Sequence, residues 1–211
     1  MKKKILSVLM VAAIMVTLVA CGEKESSSGG GKQSGNKNES GSEAGAETKD
    51  TSIVEAVADE NGNYILNGSF EEVDFTGWKV TNVDNVTEEL DVYTRETDCF
   101  EGVQCLHFYS GSTDVNFTAE QTLTGLEAGT YKLTAHIQGE AAGDENAQVY
   151  FYVIVDGETF KVDGQLNGYV NWYTAELPGI NVTGSDVVVG INVTTAPGGW
   201  GTIDDITLVK E

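Results

Sequence analysis

Aromatic and cationic side chains in turn-like segments are the residues of this sequence best suited to hold a ligand. Trp200 lies in Ala196-Pro197-Gly198-Gly199-Trp200-Gly201, where small neighbours leave its indole little side-chain cover. Trp172 follows a second glycine-containing segment, and Arg95 is the only arginine of the chain. An exposed indole offers a flat apolar surface, and a guanidinium offers five fixed hydrogen-bond donors. Trp172 could equally pack on the rim of a core, and Arg95 could equally pair with an acid.

Further polar and aromatic side chains are predicted on the outward faces of strands. Alternation in Tyr131–Gln138 turns Leu133 inward and Gln138 outward. The same alternation turns three more side chains outward, namely Tyr152, His107 and Tyr109. Aromatic rings suit the C–H side of a sugar, and amides supply paired donors and acceptors for hydroxyls. An ordinary solvated sheet with amphipathic tyrosines is the alternative.

The charge balance excludes one class of partner. The chain has 211 residues, with 12 Lys and Arg against 33 Asp and Glu, and a formal charge of −21. Residues 61–211 carry 5 basic and 24 acidic side chains, so binding to nucleic acid through clustered Lys and Arg is excluded. Two carboxylates at glycosidase spacing could occur by chance, but no nucleophile elbow or phosphate loop is present. The sequence therefore favours binding over catalysis.

Cysteines and histidines are given structural roles. Cys99 and Cys105 flank a hairpin-sized gap, which predicts a local disulfide if the chain is exported; two free thiols are the alternative. The sequence has no Cys, His and Asp spacing typical of zinc binding or thiol catalysis. His107 and His136 lack a motif around them and are predicted as polar residues of a sheet face.

The elements that must position these residues are short strands. Runs rich in Val, Thr, Tyr and Ile alternate with Gly, Asn and Asp turns, which predicts an all-β, antiparallel β-sandwich of the jelly-roll type. The predicted strands are Tyr64–Asn67, Trp78–Asn82, Glu89–Glu96, Gln104–Ser110, Asn116–Leu123, Gly129–Gln138, Gln148–Val155, Glu158–Val162, Asn171–Leu177, Asp186–Thr194 and Gly201–Val209. Trp78 is predicted to belong to the core.

The first sixty residues predict export and membrane attachment. Lys2-Lys3-Lys4 precede an apolar stretch, Ile5–Ala20, that is short for a bilayer span. Leu18-Val19-Ala20-Cys21-Gly22 resembles the lipobox of bacterial lipoproteins, which implies that residues 1–20 are a signal peptide and that Cys21 is diacylated. A transmembrane anchor is the alternative. Residues 21–60 are predicted as a Gly/Ser-rich disordered tether, in which residues 52–59 could form a short helix or an entry strand.

Two segments of residues 61–211 carry a family resemblance. Asn67-Gly68-Ser69-Phe70-Glu71, followed by Gly77-Trp78, resembles the opening of carbohydrate-binding modules with the galactose-binding-like jelly roll. The last segment, Gly199-Trp200-Gly201-Thr202-Ile203-Asp204-Asp205-Ile206-Thr207-Leu208, resembles their closing strand. The chain is most similar to the galactan-binding modules of family 53 arabinogalactan endo-β-1,4-galactanases. This resemblance implies binding of β-1,4-galactan, a plant polysaccharide.

The resemblance also implies a structural Ca²⁺ between the opening segment and the final strand. Its ligands would be Glu71 and Asp204, with Asp205 and backbone carbonyls near Gly68 and Phe70. Hard oxygen ligands suit Ca²⁺, and a cation at this place would join the two ends of the sandwich. The alternative is that Asp204-Asp205 simply forms a polar strand end.

Taken together, these features predict a lipid-anchored sandwich that holds a plant glycan at the extracellular face of a bacterial cell membrane without cleaving it. A separate glycoside hydrolase or a transporter would be its partner. The alternatives are a surface adhesin or protein-interaction module, and a non-catalytic part of a galactanase system.

Overall fold

The computed structural model describes residues 51–72, 74–82 and 90–211, which form a β-sandwich of eleven strands and one 3₁₀ helix. The elements are β1 Ile53–Glu55, β2 Lys79–Asn82, β3 Leu90–Thr94, the 3₁₀ helix Glu96–Asp98, β4 Gln104–Tyr109, β5 Val115–Thr124, β6 Gly129–Glu140, β7 Gln148–Val155, β8 Glu158–Asp163, β9 Gly168–Val182, β10 Val187–Thr195 and β11 Trp200–Lys210. Within these described ranges, no helix has the length and apolar character needed to cross a membrane. The predicted all-β sandwich is confirmed.

The strands form two sheets. The six-stranded sheet has the order β1-β5-β10-β7-β8, and β2 also pairs with β5. The five-stranded sheet has the order β3-β4-β11-β6-β9. Neighbouring strands are antiparallel except β1, which runs parallel to β5. The last strand, β11, is therefore central in its sheet, between β4 and β6.

The core lies between the two sheets and follows the predicted alternation. Leu133 and Ile137 of β6 are buried, as are Phe151 of β7 and Ile191 of β10. The rings of Phe108 in β4 and Phe117 in β5 join the sheets, with centroids 6.0 Å apart. Each strand thus turns one set of alternate side chains to the core and leaves the other set for the outer face of its sheet.

The opening segment differs from its prediction. Tyr64–Asn67 forms no strand, because the backbone turns at Asn67 and Phe70, whose φ angles are +52° and +54°. Its contacts with β11 are short: one bridge joins the preceding Asn63 to Val209, and Tyr64 N donates to Leu208 O at 3.0 Å. Buried Gln121 holds the segment instead: its Oε1 accepts Leu66 N at 2.9 Å, and its Nε2 donates to Leu66 O at 2.9 Å.

Two further boundaries in the structure differ from their predicted positions. Residues 52–59, left open between helix and strand, contain the strand β1, so the folded part begins before Asn61, inside the range predicted as tether. Strand β9 extends from Gly168 to Val182, well beyond the predicted Asn171–Leu177. The core position predicted for Trp78 is confirmed, since the side chain is buried and its ring stacks on Phe70 at 5.8 Å.

Candidate functional site

The segment between β3 and β4, residues 95–103, lies on the outer face of the five-stranded sheet. The carbonyl oxygen of Asp98 accepts hydrogen bonds from Gln138 Nε2 in β6 and Thr202 Oγ1 in β11, each at 3.0 Å. Further along, the ring of Phe100 stacks on His136 of β6 with centroids 3.6 Å apart. We call residues 95–103 the covering segment. It divides the face into a covered part and an open part.

The carboxylate of Asp98 accepts four hydrogen bonds. Oδ2 accepts Tyr93 OH at 2.9 Å and Arg95 Nη1 at 3.1 Å. Oδ1 accepts Thr97 Oγ1 at 2.9 Å and Tyr169 OH at 2.8 Å. Burial acts to raise the pKa of Asp98, but these hydrogen bonds outweigh it and hold the pKa below its ordinary value. Asp98 is therefore an ionised acceptor at neutral pH.

The open part of the face carries three aromatic side chains, Tyr109, Tyr169 and Trp200, which we call the aromatic face. Trp200 in β11 pairs directly with Tyr109 in β4, so the two side chains lie on the same side of the sheet. The rings of Tyr169 and Trp200 have centroids 6.2 Å apart, at 51° to each other. Tyr169 is 53% exposed and Tyr109 is 41% exposed. Flat apolar surface is thus accessible here.

Arg95 and His107 lie at one side of the aromatic face. The Arg95 side chain is 65% exposed, although its guanidinium pairs with Asp98, and it lies 5.8 Å from the ring of Tyr93. His107 packs against the same ring, with centroids 4.3 Å apart, and its Nδ1 lies 2.9 Å from Asp91 Oδ1. Arg95 therefore pairs with an acid while most of its side chain stays exposed, and its contact with a sugar stays a prediction.

Trp172 shares this outer face but packs against the covering segment. Its ring meets Phe100 edge-on, with centroids 5.4 Å apart, and it is half-buried. The structure therefore brings five predicted sugar ligands to one face of one sheet, which are Trp200, Trp172, Arg95, His107 and Tyr109.

Gln138 is not available to a sugar, and its prediction as a sugar ligand is wrong. The side chain is fully buried beneath the covering segment. Its Nε2 donates to Asp98 O, and its Oε1 accepts the backbone N–H of Val170. Alternation correctly placed Gln138 on the outer face, but it could not show that residues 95–103 cover that position.

Tyr152 lies in the other sheet, so its assignment to the same site is also wrong. It pairs with Gly190 in β10, and its ring occupies the space above that glycine, where a Cβ would collide with the ring. Its hydroxyl donates to Glu120 Oε1 at 2.7 Å. Burial together with this hydrogen bond raises the pKa of Tyr152 well above its ordinary value. Period-two patterning assigns a face to a residue but does not say which sheet the strand joins.

Sequence reasoning missed Tyr169 and Asp98 as members of the site. Gly168-Tyr169 stands at the start of β9, and an aromatic residue after a turn glycine is a signal that could have identified Tyr169. Three donors to the Asp98 carboxylate are local, but its link to the site through Tyr169 spans 71 residues and has no local signal. Val170, next to Tyr169, has a φ of +59°, which is strained for a β-branched residue.

Three of the predicted cation ligands, Gly68, Glu71 and Asp205, lie where the opening segment meets β11. Ile206 N donates to Gly68 O at 2.9 Å, and Gly68, Glu71 and Asp205 line one cleft of about 460 Å³. Glu71 Oε1 accepts the N–H groups of Val103 and Gln104, at 2.7 and 2.9 Å. In the described part of the chain, no three acidic, His or Cys side chains converge as a metal cluster. A cation here would therefore need backbone carbonyls as well as carboxylates.

Asp204 is a fully buried carboxylate with no cationic partner among the ion pairs of the described residues. Its Oδ2 accepts Phe100 N at 2.8 Å and Glu101 N at 3.0 Å, and its Oδ1 accepts Asp205 N at 2.7 Å. Burial raises the pKa of Asp204 to about 7 despite these three bonds. Carboxylate oxygens are the ligand type that suits Ca²⁺, but both oxygens of Asp204 here accept backbone N–H groups.

The disulfide predicted between Cys99 and Cys105 is not formed in the structure. Both are buried free thiols. Cys99 Sγ donates to Arg95 O at 3.3 Å, and Cys105 Sγ donates to Asp98 O at 3.6 Å. Burial raises the pKa of both thiols. Each thiol thus hydrogen-bonds a carbonyl of the covering segment.

Residues 1–20 and Cys21, predicted as the signal peptide and the lipidation site, lie outside the described residues.

Comparison with known proteins identifies the fold and not a family. No protein-family model matches the sequence, and no curated protein matches it by sequence. Solved structures do match. TmCBM61, solved in complex with β-1,4-galactotriose, is 24% identical, with a TM-score of 0.63 over 71% of this chain and 99% of that chain. A family 16 carbohydrate-binding module is 16% identical, with a TM-score of 0.50 over 70% of this chain and 100% of that chain.

The same sandwich also occurs inside larger proteins. The enzymatically active domain of bacteriophage CBA120 tailspike protein 4 is 13% identical, with a TM-score of 0.53 over 71% of this chain and 22% of that chain. At such identities a match is evidence for the fold alone. The chain therefore has the β-sandwich fold of carbohydrate-binding modules.

Proposed function

We propose that this protein binds a glycan on the aromatic face without cleaving it, and that β-1,4-galactan is the ligand. The observation that carries the proposal is the grouping of Tyr109, Tyr169 and Trp200 on an accessible sheet face, with the Arg95 guanidinium on the adjoining covering segment. The choice of galactan is supported by the likeness to a module solved with galactotriose and by the opening and closing sequence motifs.

Each part of the aromatic face suits one part of a sugar. A pyranose has a C–H side that stacks on an indole or phenol ring and a rim of hydroxyls that needs donors and acceptors. Trp200 and Tyr109, side by side on β11 and β4, would take the C–H side. Arg95 would donate to ring or hydroxyl oxygens, because its fork is mostly exposed while one nitrogen holds Asp98.

Two carboxylates beside this face, Asp98 and Asp91, have structural roles, whereas Glu140, which pairs with Trp200, is exposed. A glycosidase needs one carboxyl group that keeps a proton near neutral pH and a second that stays ionised. Asp98 has a lowered pKa, and its two oxygens already accept four hydrogen bonds. Asp91 is engaged with His107. Binding without bond cleavage is therefore the function that we propose.

Calorimetric titration of the chain from Gly22 to Glu211 with β-1,4-galactan, and with unrelated glucans and xylans, tests this function. We expect saturable binding to galactan and none to the other glycans. Binding to a xylan or glucan instead would support a glycan site on the aromatic face and contradict the choice of galactan as its ligand. Absence of binding to every glycan would overturn the proposal and favour a protein-interaction surface on the same fold.

A lipid anchor would place this site at the outer surface of a bacterial membrane. We propose that Cys21 is diacylated and that residues 22–50 act as a flexible tether. Weak sites on many anchored copies would then engage one polymer together, which raises the overall affinity. A separate glycoside hydrolase or transporter would use the captured chain.

The anchor is tested by metabolic labelling with a lipid probe. We expect label on the wild type and none on Cys21→Ser, because only the thiol of Cys21 would carry the diacylglyceryl group. Export of Cys21→Ser is followed with an antibody as a control. A wild-type chain that takes up no label would contradict lipidation.

A structural Ca²⁺ between the opening segment and β11 completes the proposal. Glu71 and Asp204 would supply carboxylate oxygens, Asp205 could add a third, and carbonyls near Gly68 would complete the shell. Such an ion would join the two ends of the sandwich and neutralise the buried charge of Asp204.

A further inference from the structure

We propose that Asp98 is a positioning residue, which fixes Tyr169 and Arg95 relative to each other and thereby sets the affinity of the aromatic face. The proposal rests on the proposed function, because it concerns the same site. It adds a residue that does not itself touch the ligand but determines where two ligand-binding groups stand.

The carboxylate of Asp98 has no free capacity for a sugar. A carboxylate offers about four lone-pair positions, and four hydroxyl or guanidinium donors already fill them at 2.8 to 3.1 Å. The side chain is also buried, with 9% of its surface exposed. Asp98 therefore acts on a ligand only through the groups that it holds.

Those groups come from different elements: Arg95 also lies against the ring of Tyr93, but the link between Arg95 and Tyr169 runs through the Asp98 carboxylate. Tyr93 belongs to β3 and Arg95 to the covering segment, whereas Tyr169 belongs to β9 at the opposite edge of the five-stranded sheet. The distance between Arg95 and the Tyr169 ring is thus set by one carboxylate. Both side chains are long or terminal and exposed, so without this acceptor each would occupy several rotamers.

Asp98 is itself held in place through its backbone. Its carbonyl oxygen accepts Gln138 Nε2 and Thr202 Oγ1 at 3.0 Å, and Cys105 Sγ at 3.6 Å. These donors belong to β6, β11 and β4. Together with Tyr93 and Tyr169, they connect this one residue to all five strands of the sheet, so the carboxylate cannot shift without moving side chains on each of them.

A second connection fixes the backbone beside Tyr169. The amide of Gln138, which donates to Asp98 O, accepts the N–H of Val170 at its other end. Val170 keeps a φ of +59° and an exposed side chain, although a β-branched residue disfavours that conformation. Tyr169 is therefore restrained through its hydroxyl by the Asp98 carboxylate and through the adjacent peptide by Gln138. Strain of this kind persists where the surroundings over-determine the backbone.

The test compares two tyrosine hydroxyls that each donate one hydrogen bond, one to the Asp98 carboxylate and one to a backbone carbonyl away from the site. Tyr169→Phe removes the bond to Asp98 and keeps the ring. Tyr131→Phe removes a hydroxyl that donates to Glu127 O at 2.8 Å, from a fully buried residue of the core. We expect Tyr169→Phe to weaken binding of galacto-oligosaccharides about 3- to 10-fold, as loss of one ordering hydrogen bond predicts. Tyr131→Phe should leave the affinity unchanged.

Asp98→Asn is the stronger variant. The amide replaces one carboxylate oxygen by an N–H₂ group and removes the negative charge, so two of the four donors lose their acceptor and the other two keep only a neutral one. We expect a loss of affinity of about 10-fold or more, accompanied by a changed preference among galactan oligomers of different length. The melting temperature of each variant is measured alongside, because a purely structural role would lower it and leave the affinity of the folded fraction unchanged.

Three results separate the possibilities. Weaker binding by Tyr169→Phe, with wild-type affinity in Tyr131→Phe, supports positioning. Wild-type affinity in Tyr169→Phe overturns the positioning role while the proposed function stands, and this variant gives that answer even if Asp98→Asn does not fold. A wild-type protein that binds no galactan, glucan or xylan overturns the proposed function, and the positioning role with it.

Discussion

Trp200→Ala is expected to weaken galactan binding by about 2 kcal/mol or more, roughly 30-fold in Kd, because it removes the largest flat surface of the aromatic face. Trp200 stands between Tyr109 on the neighbouring strand and the ring of Tyr169, 6.2 Å away. Its loss leaves the two tyrosines without the surface that joins them. The measurement is calorimetric titration with galacto-oligosaccharides.

The matched control removes an aromatic ring from the other sheet. Tyr150 lies on the outer face of the six-stranded sheet, where Lys161 Nζ sits 4.7 Å from its ring centroid. Tyr150→Ala should leave the affinity unchanged. Both variants alter outer faces, so neither should open a core cavity and both should keep melting temperatures near that of the wild type. Unchanged affinity in Trp200→Ala would remove this residue from the site.

In metal-free protein, Asp204 is expected to make the sandwich less stable as pH rises from about 4 to 7. The pKa of Asp204 is about 7 in the folded protein because of burial, whereas an unfolded aspartate titrates near about 3.9. Between these values the folded state keeps a proton that the unfolded state has lost, so the free energy of unfolding falls as pH rises. The full loss is about 4 kcal/mol and is complete above pH ~7.

The contribution of Asp204 is isolated by comparison with Asp204→Asn. His136 titrates in an overlapping range with the opposite sign: burial lowers its pKa, so it costs stability as pH falls below about 6.5. The difference in urea unfolding free energy between wild type and Asp204→Asn in EDTA should therefore decline from pH 4 to 7. A difference that stays constant across this range would contradict a raised pKa of Asp204.

Calcium should reverse this pH dependence. An ion bound at Glu71 and Asp204 favours the ionised carboxylate, so excess Ca²⁺ should raise the melting temperature most at pH 7 and above. Mg²⁺ at the same concentration is the control, because it fits loose carbonyl-rich sites poorly. If the melting temperature responds to neither ion while the pH dependence in EDTA is as expected, Asp204 is a buried acid with a raised pKa but binds no cation.

The sequence predicts the layers of this fold well and the site only in part. Alternation in β6, β7 and β10 identified the core faces, because burial between two sheets imposes a period of two. The opening and closing motifs were expected to meet, and Gly68 and Ile206 do meet. The strand predicted at Tyr64–Asn67 does not form, because the backbone there takes positive φ angles and is hydrogen-bonded by the side chain of Gln121.

Two predictions of site residues were wrong because they depend on contacts between segments far apart in the sequence. Gln138 and Tyr152 have the right type and the right alternation, yet one is covered by residues 95–103 and the other belongs to the opposite sheet. Trp200, Tyr109 and Arg95 could be singled out because turn glycines, alternation and rarity are local properties of a sequence, although the Trp200 side chain is half-buried and not as open as predicted. The role of Asp98 depends on donors up to 104 residues away, and no window of sequence contains them.

The same long-range connections determine when the aromatic face can assemble during folding. The hydrogen bonds to Asp98 form only when Gln138, Tyr169 and Thr202 reach it, and these residues lie 40, 71 and 104 residues later in the chain. Contacts of such separation carry a high loop-closure cost and form late in folding. The pairing of β4 with β11 joins residues just as far apart, so the outer face is complete only when the five-stranded sheet has closed. A ligand that recognises only the finished face would slow unfolding and leave the folding rate unchanged.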